Sequence, residues 1–246
     1  MELNRIYNED CLEGMKRIPD GSVDMILCDL PYGTTRNEWD TIIPLDHLWM
    51  QYERVIKNNG AIVLTAQTPF DKVLGASNIK HLKYEWIWQK NNATGHLNAK
   101  KMPLKEHENV LVFYKKLPTY NPQGIEDYNK VTRRGLTSNY EKYGGESFQE
   151  KTGYPRSIQI FKYDSDKMHP TQKPVALFEY LIKTYTNKNE TVLDNCMGSG
   201  TTAIACMNTE RNFIGFELDK TYYEKSLERI KNHATQTDIF DVLEGE

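Results

Sequence analysis

The segment from Val192 to Thr202 limits the possible folds of this chain more than any other stretch. Its sequence, Val-Leu-Asp-Asn-Cys-Met-Gly-Ser-Gly-Thr-Thr, predicts a short buried strand, a glycine turn and the start of a helix. Two closely spaced glycines in such a turn let the backbone approach a ligand, and the amides of the helix start point at it. The segment therefore predicts an α/β fold with a ligand site at a strand end.

Further strands and helices alternate along the chain. The predicted strands are Val23–Cys28, Ala61–Thr65, Tyr84–Gln89, Asn109–Tyr114, Thr191–Leu193 and Phe213–Phe216. Five helices are predicted. One begins at Pro44 and ends at residues 58–60, and another begins at Pro174. The other three are Thr68–Ser77, Thr201–Asn208 and Lys220–Asn232. This alternation predicts a mostly parallel sheet with helices on both faces.

The alternating pattern is lost between residues 115 and 167, a segment with five glycines and no sustained periodicity. Loops of this length inside a compact domain are usually functional or disordered. We expect one domain made of residues 1–114 and 168–246, with 115–167 as an irregular insertion.

Charge is distributed unevenly along the chain. Residues 80–175 contain 17 Lys and Arg against 10 Asp and Glu, whereas the rest contains 14 against 24. The net charge of −3 argues against a uniformly basic nucleic-acid binder. A basic segment on an acidic body is nevertheless expected for a protein that contacts phosphates. A solvated, lysine-rich loop region explains the charge equally well.

The composition also argues against membrane and metal-dependent classes. No apolar stretch reaches the roughly 20 residues of a membrane span. The N-terminus lacks a signal-peptide layout, so we expect a cytoplasmic protein with no membrane partner. The four cysteines show no Cys-x-x-Cys spacing, which favours buried free thiols. His107 and Glu108 lack a third ligand, and we expect no metal.

The glycine turn points to a particular class of ligand. Glu217 follows Gly200 by 17 residues at the end of the next predicted strand, where a carboxylate can accept hydrogen bonds from ribose hydroxyls. Ala203 stands where a dinucleotide-binding loop has its third glycine, and no Gly-Lys-Ser/Thr is present. These departures disfavour NAD and ATP and favour a nucleoside ligand without phosphates.

A second motif, Asp29-Leu30-Pro31-Tyr32, closes the first buried strand. It brings a carboxylate, a backbone carbonyl, a rigid turn and an aromatic ring together at one strand end. Two acceptors and a stacking surface are what a planar ring with an exocyclic amine requires. The two motifs, in this order, form a stronger signal than either alone.

Together these residues resemble the DNA amino-methyltransferases of the β group, in which the catalytic motif precedes the cofactor motif. The resemblance covers roughly residues 5–230 apart from 115–165. The matching segments are Asp29–Tyr32 (Asp-Pro-Pro-Tyr in the family), His169–Pro174 (His-Pro-Thr-x-Lys-Pro), Asp194–Thr202 (Asp-x-Phe-x-Gly-Ser-Gly-Thr-Thr) and the ribose-binding strand end Gly215-Phe216-Glu217.

The resemblance implies a Rossmann-like, S-adenosylmethionine-dependent methyltransferase fold. Residues 1–114 would form its catalytic part, 115–167 a target-recognition insertion and 168–246 its cofactor-binding part. It implies a catalytic site made of Asp29, Leu30, Pro31 and Tyr32. It assigns to S-adenosylmethionine, and to its product S-adenosylhomocysteine, the residues Asp10, Cys11, His169, Thr171, Lys173, Asp194, Asn195, Cys196, Met197, Gly198, Ser199, Gly200, Thr201, Glu217 and Leu218.

The implied reaction is site-specific methylation of the exocyclic amine of a flipped base in DNA, as in restriction–modification systems. Leu30 replaces a proline and Cys196 a phenylalanine of the family pattern. Aspartate rather than serine at position 29 favours adenine over cytosine, and cytosine-N4 methylation stays the alternative. Homodimers are common in the resembling family, and a homodimer is an open option here.

Three basic residues are candidates for DNA contact. Arg133 and Arg134 lie in the insertion, and arginine reads guanine bidentately. An exposed arginine pair without a DNA role is an equal alternative. Lys90 follows a strand in which Trp86 and Trp88 share one face, expected to be core. Residues 37–40 are a candidate lid over the target base.

Three rival functions explain the motifs less well. RNA or protein amide methyltransferases use a related Asn-Pro-Pro-Tyr motif, but their cofactor loop precedes it. A non-catalytic DNA-binding module would not need an intact acidic tetrapeptide beside a complete cofactor loop. A nicotinamide-dependent oxidoreductase leaves residues 169–174 unexplained.

Overall fold

The computed structural model describes residues 1–33, 40–134, 145–165 and 172–244, without the side chains of 132–134, 145 and 236–244. The strands are β1 (Arg5–Tyr7), β2 (Val23–Asp29), β3 (Ile56–Ala66), β4 (Leu82–Thr94), β5 (Lys105–Phe113), β6 (Glu126–Arg134), β7 (Gly145–Thr152), β8 (Ile158–Phe161), β9 (Thr191–Asp194) and β10 (Asn212–Phe216). The helices are α1 (Cys11–Met15), α2 (Leu45–Val55), α3 (Phe70–Ser77), α4 (Val175–Tyr185), α5 (Thr201–Asn208) and α6 (Lys220–Glu244). A short 3₁₀ turn covers His96–Asn98.

The main sheet has eight strands in the order β1-β10-β9-β2-β3-β5-β4-β8. Its pairs are parallel except those of β5, which runs antiparallel to both β3 and β4. The mostly parallel sheet predicted from the sequence is therefore confirmed. Because parallel strands joined by helices bury both faces, their sequences are continuously apolar.

Helices cover both faces of the sheet, as predicted. Along β2, Ile26 and Cys28 pack in one core with α1, α2 and α3. Met25 and Leu27 pack in the other core with α4 and α5. This two-residue period follows from the alternation of side chains along a strand.

One edge of the sheet collects the polar side chains of the predicted site. Strands β1, β2, β3, β9 and β10 are parallel and all end there. Because β5 is antiparallel to β3 and β4, β4 also approaches this edge at its end and β5 begins there. The residues gathered at the edge are Asp29, Thr65, Lys90, Glu108, Asp194 and Glu217.

Residues 121–157 form a compact unit of their own, in which β6 and β7 pair as an antiparallel hairpin. The sequence predicts no strands here, and burial explains why. Val131 and Phe148, which face each other in the hairpin, are 60% and 64% exposed, so the strands carry no apolar face of period two. β8 belongs to the main sheet, where it pairs in parallel with β4.

Several element boundaries differ from those predicted. Helix α2 ends at Val55 rather than at residues 58–60, because β3 begins directly at Ile56. α6 continues beyond Asn232 to Glu244. The sequence assigned no element to α1, a short helix that Asp10 caps by accepting hydrogen bonds from two backbone amides. Within the described ranges, no helix has both the length and the apolarity to cross a membrane.

Replacing Gly14 with alanine should destabilise the protein. A Cβ atom at Gly14 would lie 2.2 Å from the ring of Phe216, which is fully buried. Overpacking of this kind costs about 1–3 kcal/mol. Gly75 in α3 is a matched helical control, because its added Cβ would lie 3.4 Å from Leu82, an ordinary contact. Urea unfolding should show Gly75→Ala unchanged or stabilised by up to about 1 kcal/mol, and equal effects at both positions would contradict the packing described.

Candidate active site

Asp29 is the last residue of β2, and three donors fix its carboxylate. Its Oδ1 atom accepts hydrogen bonds from the Tyr32 hydroxyl, at 2.6 Å, and from the Thr65 hydroxyl. Its Oδ2 atom accepts one from Lys173 Nζ at 2.6 Å. Thr65 is opposite Asp29 in the parallel register of β2 and β3. These three hydrogen bonds therefore fix the orientation of the carboxylate.

The turn after Asp29 is held by a residue that the sequence did not single out for this role. Asp40 is buried, and its Oδ1 atom accepts hydrogen bonds from the backbone amides of Tyr32 and Gly33 at 2.8 and 2.9 Å. The Tyr32 ring stacks on Phe70, with centroids 5.5 Å apart. Burial raises the pKa of Tyr32 well above its ordinary value, so the hydroxyl stays protonated as a donor to Asp29.

A line of buried charges extends from Asp29 across the sheet edge. Lys173 Nζ, bound to Asp29, also lies 3.2 Å from Glu108 Oε2. The other oxygen of Glu108 accepts hydrogen bonds from Lys90 Nζ at 2.6 Å and from the Gln67 amide at 2.7 Å. Lys90, Glu108 and Lys173 are each no more than 5% exposed.

The electrostatics of this line favour the charged forms of its two central members, Lys173 and Glu108. Burial alone would lower the pKa of Lys173, but the carboxylates of Asp29 and Glu108 outweigh it and raise the pKa above the ordinary lysine value. Burial alone would raise the pKa of Glu108, but Lys173 and Lys90 outweigh it and lower the pKa. Opposite charges at hydrogen-bond distance favour the charged forms of both partners.

The glycine turn after β9 is organised by Asp194. Its Oδ1 atom accepts a hydrogen bond from the Cys196 amide at 3.0 Å, and its Oδ2 atom accepts one from the Thr202 hydroxyl. Gly198 and Gly200 have positive φ angles of 53° and 83°, which glycine adopts without steric cost. The loop thus turns tightly from β9 into α5 and brings its backbone to the sheet edge.

Glu217 braces the same turn from the end of β10. Its Oε2 atom accepts a hydrogen bond from the Gly198 amide at 2.8 Å, and its Oε1 atom accepts one from the Asp219 amide at 2.9 Å. Burial raises the pKa of Glu217 above its ordinary value. Gly215, two residues earlier, leaves room for Met197, whose Cε would lie 2.3 Å from an added Cβ.

Arg229, on α6, holds the turn after β9 in place through hydrogen bonds. One terminal nitrogen donates to the Ser199 carbonyl at 3.1 Å and to the Thr201 hydroxyl at 3.2 Å. Because Arg229 lies beyond every sequence motif, no pattern identified it.

A cavity of about 680 Å³ opens at this edge. Asp29, Tyr32, Lys90 and Glu108 line it together with the loop after β9. Its other lining residues include four carboxylates, those of Glu9, Asp10, Glu217 and Asp219. An acidic lining and a glycine turn fit a nucleoside ligand that carries positive charge and no phosphate, as S-adenosylmethionine does.

Comparison with known proteins decides the family. The N6/N4 methyltransferase family model, described as DNA methylase, matches residues 23–228. The chain is a member of this DNA methylase family.

Several relatives agree with this assignment. DNA adenine methyltransferase YhdJ of Escherichia coli (strain K12) is 28% identical, over 93% of this chain and 83% of YhdJ. Type II methyltransferase M2.MboI of Moraxella bovis is 27% identical, over 91% of this chain and 86% of M2.MboI. The crystal structure of the M1.HpyAVI–SAM complex matches with a TM-score of 0.63 and 29% identity, over 92% of this chain and 98% of that chain.

The fold match extends to a more distant enzyme. PvuII DNA methyltransferase, which is cytosine-N4-specific, has a TM-score of 0.69 at 17% identity, over 98% of this chain and 93% of that chain. The predicted methyltransferase fold is thus confirmed. The protein is an S-adenosylmethionine-dependent DNA amino-methyltransferase.

The structure of this methylase brings most of the predicted site residues to one cavity. Those that line it are Asp10, Cys11, Asp29, Leu30, Pro31, Tyr32, Lys90, Lys173, Asp194, Asn195, Cys196, Met197, Gly198, Ser199, Thr201, Glu217 and Leu218. Gly200 lies at the start of α5, as the N-cap residue. His169 and Thr171 fall outside the described residues, as do residues 37–39 of the candidate lid. The individual roles of these residues stay predictions.

The basic residues proposed to contact DNA lie in different surroundings. Lys90 is buried, pairs with Glu108 and lines the cavity, and its contact with DNA stays a prediction. Arg133 and Arg134 lie at the end of β6, opposite Glu146 and Gly145, and their side chains are outside the described set. Trp86 and Trp88 are buried in the core, as predicted.

Sequence reasoning missed Thr65, Glu108 and Arg229 as parts of this site, and it named Asp40 only as a member of the candidate lid. Only Thr65 carried a usable signal, because it ends a predicted strand beside β2. Glu108 was considered solely as a metal ligand. Among the described residues, no group of three or more His, Cys, Asp and Glu is arranged to hold a metal ion.

Asp194→Asn should change stability in a pH-dependent way. Burial raises the pKa of Asp194 from 3.8 to about 6. The folded state therefore holds this proton more tightly than the unfolded state, and the contribution of Asp194 to stability falls as pH rises from about 4 to about 6. Asparagine has no charge to bury and can still accept the Cys196 amide hydrogen bond.

The free energy of unfolding of Asp194→Asn, minus that of the wild type, should increase by about 1–3 kcal/mol between pH 4 and pH 7.5. Urea unfolding followed by tryptophan fluorescence measures it. If the difference in unfolding free energy between variant and wild type does not change with pH, the pKa of Asp194 in the folded protein is ordinary.

Proposed function

We propose that this methylase transfers a methyl group to the exocyclic amine of adenine in DNA, with the target base turned out of the duplex into the cavity. The observation that carries the proposal is the Asp29 carboxylate, held at a strand end by three donors and lining the cavity. A base amine inside a duplex is out of reach, so enzymes that modify it flip the base out.

The residues of the tetrapeptide would activate the amine by accepting its two hydrogens. Asp29 would accept one and the Leu30 carbonyl the other, which localises the nitrogen lone pair. Acceptors that are oriented beforehand stabilise the positive charge that develops on the nitrogen. S-adenosylmethionine, when bound, supplies a methyl group activated by a sulfonium centre. Positioning of the amine then contributes most to the rate.

The cofactor would be held by the turn after β9 and by the carboxylates around it. The backbone at Gly198 and Gly200 would give the close approach, and Glu217 would accept hydrogen bonds from the ribose hydroxyls. Glu217 already accepts two backbone hydrogen bonds, which leaves part of its carboxylate for the ligand. Asp10, at the start of α1, would lie near the adenine ring of the cofactor.

Tyr32 would form one wall for the flipped base. Its ring rests on Phe70 and its hydroxyl on Asp29, which fix its plane. Base–aromatic stacking contributes about 1–3 kcal/mol. The identity of residue 29 as aspartate supports adenine as the target, and the relative YhdJ is named a DNA adenine methyltransferase.

We further propose that residues 115–167, which include the hairpin of β6 and β7, recognise the DNA sequence. This segment contributes Arg133 and Arg134 and much of the basic middle of the chain. Phosphate contacts fix the register of a protein on DNA, whereas arginine contacts to base edges specify sequence.

Asp29→Ala should lower the rate of methyl transfer to DNA by about 100-fold or more while the dissociation constant of S-adenosylmethionine changes by less than about threefold. The alanine variant loses the acceptor but leaves the glycine turn untouched. Asp24→Ala is the matched control, because Asp24 lies at the opposite end of β2 and pairs with Lys57 there. It should lose stability and keep the wild-type rate. Wild-type turnover in Asp29→Ala would refute the assignment.

Incubation of DNA with methyl-labelled S-adenosylmethionine, followed by nucleoside mass spectrometry, tests the target. Label on the exocyclic amine of adenine is expected. Label on cytosine would keep the mechanism and overturn the target. No labelled base, despite measurable cofactor binding, would overturn the proposed function.

Arg133→Ala and Arg134→Ala should each lower methylation of the preferred site by about 5- to 150-fold if the arginine reads a base. Lys151→Ala is the control in the paired strand, where Lys151 binds Asp127. Competition between site-containing and site-free DNA measures the effect. An unchanged preference in both arginine variants would remove them from recognition.

A further inference from the structure

The buried line of charges next to Asp29 is not accounted for by the methyl-transfer chemistry above. It runs Lys90, Glu108, Lys173, Asp29, with consecutive oppositely charged atoms 2.6, 3.2 and 2.6 Å apart. Its formal charge is zero. Buried ion pairs are costly to desolvate, and well-packed apolar residues often stabilise a fold as well or better. A stabilising role alone therefore does not explain two acidic and two basic side chains in one cavity wall.

The hydrogen bonds of Asp29 show which of its atoms can still accept. A carboxylate has about four lone-pair sites, two on each oxygen. Tyr32 and Thr65 both donate to Oδ1, whereas Lys173 is the described donor to Oδ2. An amine hydrogen would therefore bind Oδ2, the oxygen that it must share with Lys173.

Glu108 competes for the same ammonium group. Its Oε2 atom is fully buried and lies 3.2 Å from Lys173 Nζ, but accepts no well-directed hydrogen bond. Lys173 is therefore drawn between two carboxylates. The more strongly Glu108 attracts the Lys173 ammonium group, the less Lys173 neutralises the negative charge on Oδ2 of Asp29.

We infer that Glu108 is a positioning residue for methyl transfer: by sharing Lys173 with Asp29, it keeps Oδ2 of Asp29 a strong acceptor for the target amine. The inference rests on the proposed function and deepens it. Lys90 and Gln67, in turn, hold Glu108 in place through its other oxygen.

The raised pKa of Lys173 is consistent with this sharing, because both carboxylates act on it after the cost of burial. The charged and titratable groups that face Lys173 come from three segments. They are Asp29 on β2, Tyr32 in the turn that follows, and Glu108 on β5.

The decisive experiment compares Glu108→Gln with the double variant Glu108→Gln/Lys90→Met. Glutamine keeps the shape but no longer attracts Lys173, and it leaves the Lys90 charge buried and unpaired. The double variant removes that charge, so the remaining pair of Lys173 and Asp29 is again neutral. Single-turnover transfer to DNA, the cofactor dissociation constant and urea unfolding are measured for each protein.

Glu108→Gln should slow single-turnover transfer by about 10- to 100-fold and change the cofactor dissociation constant by less than about threefold. The double variant should regain much of the lost stability but stay slow. Glu108→Asp, which keeps the charge, should be faster than Glu108→Gln. A purely structural Glu108 would restore stability and rate together in the double variant, and that result would overturn the inference.

A second measurement separates this inference from the proposed function. A double-mutant cycle of Asp29→Asn and Glu108→Gln in urea unfolding needs no DNA. If Glu108 acts on Asp29 through Lys173, the two substitutions are coupled. The change in the unfolding equilibrium constant of the double variant should then differ by about threefold or more from the product of the changes in the two single variants. Additive effects would overturn the inference even if the wild type methylates DNA. Lack of methylation by the wild type would overturn the proposed function instead.

Discussion

The ion pair between Asp29 and Lys173 joins two parts of the chain that are 144 residues apart in sequence. Asp29 ends β2, the first long strand. Lys173 comes shortly before α4, which covers the face of the sheet opposite to α1, α2 and α3. The pair can form only because β2 lies between β3 and β9 in the middle of the parallel sheet. The Asp29 carboxylate and the turn after β9 then share one edge and line the same cavity. The order of the strands in the sheet therefore matters as much as the motifs for bringing these residues together.

The sequence predicted the central part of this arrangement well. β2, β9, β10 and α5 were recognised because strands buried on both faces are continuously apolar and glycines mark the turn that follows. The edges were harder to predict. α1 has only five residues, and the hairpin of β6 and β7 exposes its apolar side chains, so neither produces a periodic signal. The spacing of apolar residues predicts a strand or helix only where one face or both faces of that element are buried.

The site shows the same division. Asp29, Asp194 and Glu217 were found because each directly follows a predicted strand, and Tyr32 because it closes the tetrapeptide that begins at Asp29. Glu108 and Arg229 act through partners 65 and 30 residues away in sequence, Lys173 and Ser199. Contacts of this kind depend on tertiary register, which no single sequence reveals. The basic bias of residues 80–175 shows the same limit, since the sequence does not reveal that Lys90 pairs with Glu108 and Lys173 with Asp29 at the cavity.

Asp40 has a consequence for how such an enzyme can diversify. By accepting the amides of Tyr32 and Gly33, its side chain holds two consecutive backbone positions of the turn after Asp29. The bond of the Tyr32 hydroxyl to Asp29 fixes the same turn from the other side. Because the backbone of this turn depends on a carboxylate outside the tetrapeptide, a change at residue 40 alters the strand end even when residues 29–32 are kept.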